Sequence, residues 1–285
     1  MTCKLVVNAD SGNFCKLDVD KLLNALGCVD TEIETIDSQT DWSAEGYDTV
    51  IVCGGDGTLH NAIEKCRDTR LIYAPCGTLN ETAHTDNPIV SLGKVNEQFF
   101  SYVCAAGSFT EIGYSAENKS KKKWKAIAYL PQVLKSFRSF EISAEIIADG
   151  KKIDGDFTLL MILKSYRCFG FPFNKSYKKR KGLYLVAIRS CGKDNAVNRA
   201  KMFFPFFRVF FCGVKKPTER KNWVLIPFDE LTIRLKEPQT FCLDGEKRVL
   251  SGELRFGTHM LKRQIDVVKT PFVKRRTHRF DADKH

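Results

Sequence analysis

Thr49-Val50-Ile51-Val52-Cys53-Gly54-Gly55-Asp56-Gly57-Thr58 decides the fold of this 285-residue chain. Its first five residues are apolar at odd and even positions alike, as in a strand of a parallel sheet covered by helices on both faces. Glycines end that strand. From Thr58 to Cys66 the apolar residues Leu59, Ile63 and Cys66 return at helical spacing. Outward from this core, Lys4 to Asn8 reads as a strand and Val19 to Leu26 as a helix with Val19, Leu22, Leu23 and Leu26 on one face. Leu71 to Ala74 reads as a further strand. The order is β-α-β, and the class is an α/β sheet with its ligand edge at the strand ends.

The glycine turn suits phosphate. Without side chains the backbone N–H groups can approach a ligand closely, and the following helix N-terminus contributes roughly half a positive charge. Asp56 in that turn repels phosphate unless Mg2+ intervenes or the carboxylate handles a proton, which favours phosphoryl chemistry over passive binding. The plain alternative is an ordinary Asp-Gly turn. Neither a Gly-x4-Gly-Lys-Ser/Thr loop nor a Gly-x-Gly-x-x-Gly fingerprint is present. A second turn, Pro75-Cys76-Gly77-Thr78-Leu79-Asn80-Glu81, follows one β-α unit later, and adjacent parallel strands present both turns on one sheet edge.

Beyond this the texture changes. Residues Trp124 to Phe137 carry a helical pattern bent at Pro131. Glu141 to Ala148, Phe157 to Leu163, Leu183 to Ile188, Leu231 to Leu235 and Leu254 to Phe256 then read as strands, with Asp149-Gly150 and Asp154-Gly155 as turns. The division expected is residues 1–118 as the α/β part, 119–265 as a β-rich part and 266–285 as a basic tail, its return to the first part left open. Charge divides in the same place: residues 1–118 carry a net −11 and residues 119–285 a net +22. Basic runs lie at Lys119 to Lys125, Lys175 to Lys181, Lys215-Lys216 and Lys274 to Arg276. Their field attracts an anionic membrane surface or nucleic acid.

No stretch approaches the ~20 apolar residues of a spanning helix, and the start of the chain does not read as a secretory signal. A cytoplasmic protein with peripheral membrane association is expected. The odd count of 11 cysteines, without a Cys-x-x-Cys pair, indicates neither a disulfide framework nor a zinc site.

Four motifs in order, Asn8-Ala9-Asp10-Ser11-Gly12, Gly54 to Thr58, Pro75 to Glu81 and Asp244-Gly245-Glu246, resemble those of the diacylglycerol kinase catalytic-domain family, including its soluble bacterial lipid kinases. The resemblance implies a three-layer α/β nucleotide-binding domain followed by a mainly antiparallel, β-sandwich-like domain. It implies ATP, with Mg2+, in the cleft between them. Asn8, Ser11, Gly12, Thr40, Gly54, Gly55, Asp56, Gly57, Thr58, Leu59, His60, Thr78 and Asn80 are its nucleotide candidates. Asp56 and Glu81 are the metal candidates. Asp56, Asp244 and Glu246 are the catalytic ones, with Glu246 as proton acceptor from a lipid hydroxyl, most simply that of diacylglycerol. In-line attack on a γ-phosphoryl group needs just such positioning, charge neutralisation and a base.

Ala9 and Glu81 depart from the family pattern mildly. Lys181-Gly182-Leu183 stands where the family has an Asp-Gly-Leu that holds a structural Mg2+, so no metal is expected there and the Lys181 ammonium supplies the charge, or else simply ends a basic loop. Gly107 to Glu111 resembles a further family segment and brings Glu111 toward the metal. Met202 to Phe211 holds six phenylalanines in ten residues. It is a helix buried on the β part, or an interfacial surface whose aromatics enter the acyl boundary. On the second reading, replacing Phe206 and Phe207 by serine releases the protein from vesicles without unfolding it. The partner expected is a lipid substrate at an anionic membrane surface, not nucleic acid, with a homodimer left open. Other lipid acceptors such as sphingoid bases, ceramide or phosphatidylglycerol, a soluble NAD-kinase-like substrate, and a non-catalytic phosphate binder are the alternatives.

Overall fold

The computed structural model describes residues 2–37, 40–108, 141–168, 170–192 and 195–272. The helix read at Trp124 to Phe137, the basic run at Lys119 to Lys125, Glu111 and the tail beyond residue 272 lie outside them.

The first layer system is the parallel sheet. Strands β1 (Cys3–Asn8), β2 (Thr31–Ile36), β3 (Thr49–Gly54) and β4 (Arg70–Pro75) lie in the order β2-β1-β3-β4, all parallel. Side chains alternate across it, as strand geometry requires. Val50 and Val52 pack with Leu59 and Ala62 of α2 (Asp56–Lys65), while Ile51 and Cys53 pack on the opposite face with Leu22 of α1 (Val19–Leu26). Three layers result. Helix α1 starts where Asp18 accepts the Lys21 N–H at 3.1 Å, a cap that contributes about 1 kcal/mol. It stops at Gly27, whose φ of +66° is a left-handed end that glycine adopts at little cost.

A short helix α3 (Glu81–Thr85) leads into the second system, which is antiparallel. It contains β5 (Ile89–Val95), β6 (Gln98–Phe100), β7 (Val103–Gly107), β8 (Ile142–Ala148), β9 (Lys151–Leu163), β10 (Leu183–Arg189), then β11 (Thr218–Glu219), β12 (Trp223–Phe228), β13 (Leu231–Leu235), β14 (Gln239–Leu243), β15 (Glu246–Leu250) and β16 (Glu253–Val267). Because β5 pairs with β6 and β16, and β7 pairs with β9 and β14, the crossing between systems falls between α3 and β5, not at residue 118. Charge and texture change at 118; strand pairing changes some thirty positions earlier, because β16 and β9 claim β5 to β7, three strands that together carry one lysine and no acidic residue.

Strand β16 joins the systems. Phe256 to Met260 pair antiparallel with β5, and Asp266 and Val267 then run parallel to Ile72 and Tyr73 of β4. The chain continues along the first system, with Pro271 O accepting the Asp18 N–H at 3.0 Å. Asp154-Gly155 is not a turn: it lies inside β9, where Gly155 has φ +145° and a Cβ would lie 2.5 Å from Arg189 Nη1. Asp149-Gly150 does turn, between β8 and β9, with both residues at positive φ.

Helix α4 (Ala196–Phe206), extended by a π-helical turn Phe207–Phe211, covers one face of β9, β10 and β12. Met202, Phe206 and Val209 enter the core there with Leu159, Tyr184 and Trp223. Phe206 is therefore core, whereas Phe207 is exposed, so the serine pair expected to spare folding divides into one disruptive and one tolerable change.

Candidate active site

Strands β1, β3 and β4 end at one edge, and the turns that follow them interlock. Gly54 lies opposite Pro75, so Cys76 and Gly77 donate their N–H groups to Gly54 O at 2.7 and 3.0 Å. A Cβ on Gly77 would stand 2.6 Å from the Gly55 Cα, and one on Gly12 would stand 2.3 Å from Thr78 Oγ1. These contacts require glycine on geometric grounds. Asn8 Nδ2 donates to Thr58 Oγ1 at 2.8 Å, and Asn13 Nδ2 donates to Gly77 O at 2.8 Å. The three turns thus form one surface.

Two polar atoms of that surface are buried without a hydrogen-bond partner: Ser11 Oγ and Asn80 Oδ1. Each such atom costs about 1–3 kcal/mol until something meets it. A hydroxyl donor beside exposed glycine backbone suits phosphate, and an amide acceptor suits an O–H or N–H donor of the sugar or base, so the residues present fit a nucleotide. Two of the nucleotide candidates do not join in. Leu59 is fully buried among Val50 and Val52, and its N–H is given to Gly55 O, so neither its side chain nor its amide can serve a ligand. Thr40 follows β2 on the same sheet edge, but its N–H and hydroxyl are tied to Asp37 Oδ1 at 2.8 and 2.7 Å.

Asp56 is committed to the protein. Its carboxylate accepts the N–H groups of Glu81 and Thr82 at 2.8 and 2.9 Å, holding the start of α3. Burial raises its pKa, against the lowering effect of those two bonds. Glu81 turns away toward the second system, where its Oε2 lies 2.6 Å from Arg167 Nε and its other oxygen accepts the Gly170 N–H. Burial pushes the Glu81 carboxyl up to about 7 despite Arg167. The two metal candidates therefore do not converge as a ligand pair. No cluster of three or more metal-binding side chains occurs among the described residues.

The hairpin β14–β15 carries the late acids. Asp244, at φ +50°, is buried and accepts the Ser101 N–H, the Ser101 hydroxyl at 2.9 Å, and the Tyr102 and Val103 N–H groups at 3.0 Å each. His60 Nδ1 of α2 lies 3.5 Å from Asp244 Oδ2, and that contact raises the His60 pKa above its ordinary value. Glu246 is exposed and paired with Arg248. It is also near enough to His60 to help raise its pKa. The glycine turns and the acidic hairpin thus meet at His60.

The sequence reading missed Arg167, Ser101 and Asp86. Asp86 lies buried with Lys164 Nζ at 2.5 Å and Lys181 Nζ at 3.2 Å. Lys181 thus supplies charge at the position considered, jointly with Lys164. No local pattern announces any of these residues, because each partner lies on a remote segment.

Residues 3–97 match the family model described as the diacylglycerol kinase catalytic domain. A protein named diacylglycerol kinase from Staphylococcus aureus (strain JH9) is 28% identical over 174 residues, covering 42% of this chain. The chain spans about half the length, 54%, of the curated relatives it matches. A solved structure described as a diacylglycerol kinase from Bacillus anthracis superposes with a TM-score of 0.64 at 17% identity, covering 95% of this chain and 97% of that one. A second from the same organism, described as a putative diacylglycerol kinase, gives 0.63 at 18%. These two likenesses extend the fold over both systems.

Proposed function

From the match of residues 3–97 to the diacylglycerol kinase catalytic domain, we propose that the whole chain is a member of that family and an ATP-dependent lipid kinase. It transfers the γ-phosphoryl group to a lipid hydroxyl, most simply that of diacylglycerol, at an anionic membrane surface. One observation carries this reading: three glycine-bearing turns with the orphaned Ser11 Oγ and Asn80 Oδ1 face an acidic hairpin, joined to it by the His60 to Asp244 contact of 3.5 Å.

The chemistry divides among the chain's own residues. The glycine turns and the α2 N-terminus hold phosphate oxygens through backbone N–H groups. Ser11 adds a hydroxyl donor. ATP supplies the phosphoryl group and would bring its Mg2+, for which Asp56, hydrogen-bonded to the start of α3, and the buried Glu81 leave no ready pair of free carboxylates. Asp56 instead positions α3 and the turn before it. Asp244, with three backbone N–H groups and a hydroxyl already donated to it, acts by fixing the hairpin and His60. Glu246 is the accessible carboxylate of the pair and accepts the proton of the attacking hydroxyl. His60, whose proton Asp244 stabilises, adds positive charge beside the phosphate turns.

The test is transfer of γ-labelled phosphate from ATP-Mg2+ into organic-extractable lipid, using mixed micelles of diacylglycerol, phosphatidylglycerol, ceramide or sphingosine. Label in one lipid, reduced at least about a hundredfold by Glu246→Gln, supports the reading. Label entering NAD in the aqueous phase, or no transfer with any acceptor, overturns it.

A further inference from the structure

Helix α4 and its π-helical continuation have two apolar faces. One is the core face already described. On the other, Val197, Phe204, Phe207 and Phe211 point outward, exposed by 63, 71, 41 and 40%. Positions 197, 204, 207 and 211 fall on one side of a helix, and Lys201 lies along the same side. A shallow groove beside this row is lined by Val197, Ala200, Lys201 and Phe204, with Cys191 and Asn222. Four large apolar side chains kept in water on one helix face mark an interaction surface.

Charge identifies what covers it. Residues 195–218 contain five basic and no acidic residues, and residues 170–182 contain five basic and none acidic. The two segments are stitched together: Lys175 N–H donates to Val214 O at 2.9 Å, Val214 N–H donates to Phe173 O at 2.8 Å, and the Phe173 and Phe210 rings lie 4.6 Å apart. A mainly basic face with projecting aromatics is complementary to an anionic lipid surface, aromatics entering the acyl boundary and ammonium groups meeting phosphates.

The face also runs into the site. The Phe211 ring lies 5.4 Å from that of Phe171. Next to Phe171, Gly170 donates to Glu81 and lies against Leu79 of the turn after β4. We propose that Val197, Phe204, Phe207 and Phe211, with the basic residues of 170–182 and 195–218, form the surface by which this protein seats on an anionic membrane. This seat rests on the lipid-kinase reading for its purpose: a lipid rising from the bilayer beside Phe171 meets the phosphate turns.

Vesicle sedimentation of the full chain without ATP tests the seat independently of catalysis. Wild type is expected to sediment with phosphatidylglycerol-containing vesicles, to do so far less with pure phosphatidylcholine, and to be released by salt. Phe204→Ser with Phe207→Ser, both solvent-facing, should weaken partitioning at least about tenfold with an unchanged thermal midpoint. Phe204→Trp should shift its emission to the blue on vesicle binding and be quenched by brominated acyl chains. Wild type that does not sediment, or a double variant that sediments equally, overturns the seat. So does a wild-type dimer in sedimentation velocity that the double variant converts to monomer, since the face would then belong to a second copy. A protein that binds vesicles yet labels no lipid leaves the seat standing and removes only the kinase reading.

Discussion

Glu81→Gln isolates the energetic consequence of burying a carboxyl at the junction of the two systems. The Glu81 side chain is wholly inaccessible, and its pKa moves from an ordinary 4.5 to about 7 because burial outweighs Arg167. Between those values the folded state holds a proton that the unfolded state has released. Stability from this group is therefore greatest below pH 4.5, falls as pH rises through the window, and is level above about 7. At about 1.4 kcal/mol per pH unit, the wild type loses about 3 kcal/mol across the window. Glutamine keeps the oxygen that accepts the Gly170 N–H and has no proton to lose. Asp56 and His60 also have raised values, but they remain in both proteins and cancel to first order in the difference. Urea denaturation of both proteins at intervals from pH 4 to 8 measures that difference. The wild type should decline relative to Glu81→Gln by about 3 kcal/mol between pH 4.5 and 7. A difference that stays flat, or that grows in the wild type's favour as pH rises, refutes the assignment.

Asp244→Asn should lower the thermal midpoint, because one amide oxygen replaces a carboxylate that serves four donors, and each orphaned donor costs about 1–3 kcal/mol. Asparagine tolerates the φ of +50°, so backbone strain is not the cause, and the His60 pKa read by NMR should fall in the same variant; an unmoved His60 would dissociate the pair. At Asp86, Lys164→Ala should cost about 3–5 kcal/mol, since it removes the buried, nearest ammonium from a buried carboxylate and leaves only the exposed Lys181 as its ion-pair partner. Lys181→Ala, at a side chain 67% exposed, should cost under about 1 kcal/mol. The reverse ranking in chemical denaturation, or anomalous density for Mn2+ beside Lys181 in a soaked crystal, would overturn this account of the cluster.

Sequence pattern made the first system legible because its forces are local. Val19–Leu26 is helical on periodicity and on the Asp18 cap and Gly27 end, and Thr49–Gly54 is a strand on its doubly apolar faces. The shared edge of the two glycine turns followed from parallel order alone. What escaped was decided by distant partners. Strands β5 to β7 precede the change of charge and texture at residue 118, yet β16 and β9 draw them into the second. Asp154-Gly155 has turn composition but sits in β9, where the neighbouring Arg189 fills the space a side chain would need. Leu59 shares a motif with ligand-facing residues and is pointed into the core by the 3.6-residue period of α2. Asp56 was identified as special for its charge; its use as the cap of α3 depends on a turn twenty-five residues later.

The two systems are held too firmly to act as freely hinged jaws. β16 is one strand that enters both sheets, so rotation between them must bend or break its pairing with β4 or β5. On the other side of the junction, α3 is clasped by two buried ion pairs, Glu81 with Arg167 and Asp86 with Lys164. Separating either one exposes or strands a charge at about 3–5 kcal/mol, a large fraction of a domain's whole stability. The phosphate turns and the Asp244–Glu246 hairpin are consequently in place before any ligand arrives, which suits charge stabilisation that needs no reorganisation during transfer. A site with fixed walls must receive its substrate already oriented. On the proposed lipid-kinase reading, a lipid presented end-on from a membrane would be oriented by the bilayer itself, and the aromatic, basic face beside Phe171 would be the place of that presentation.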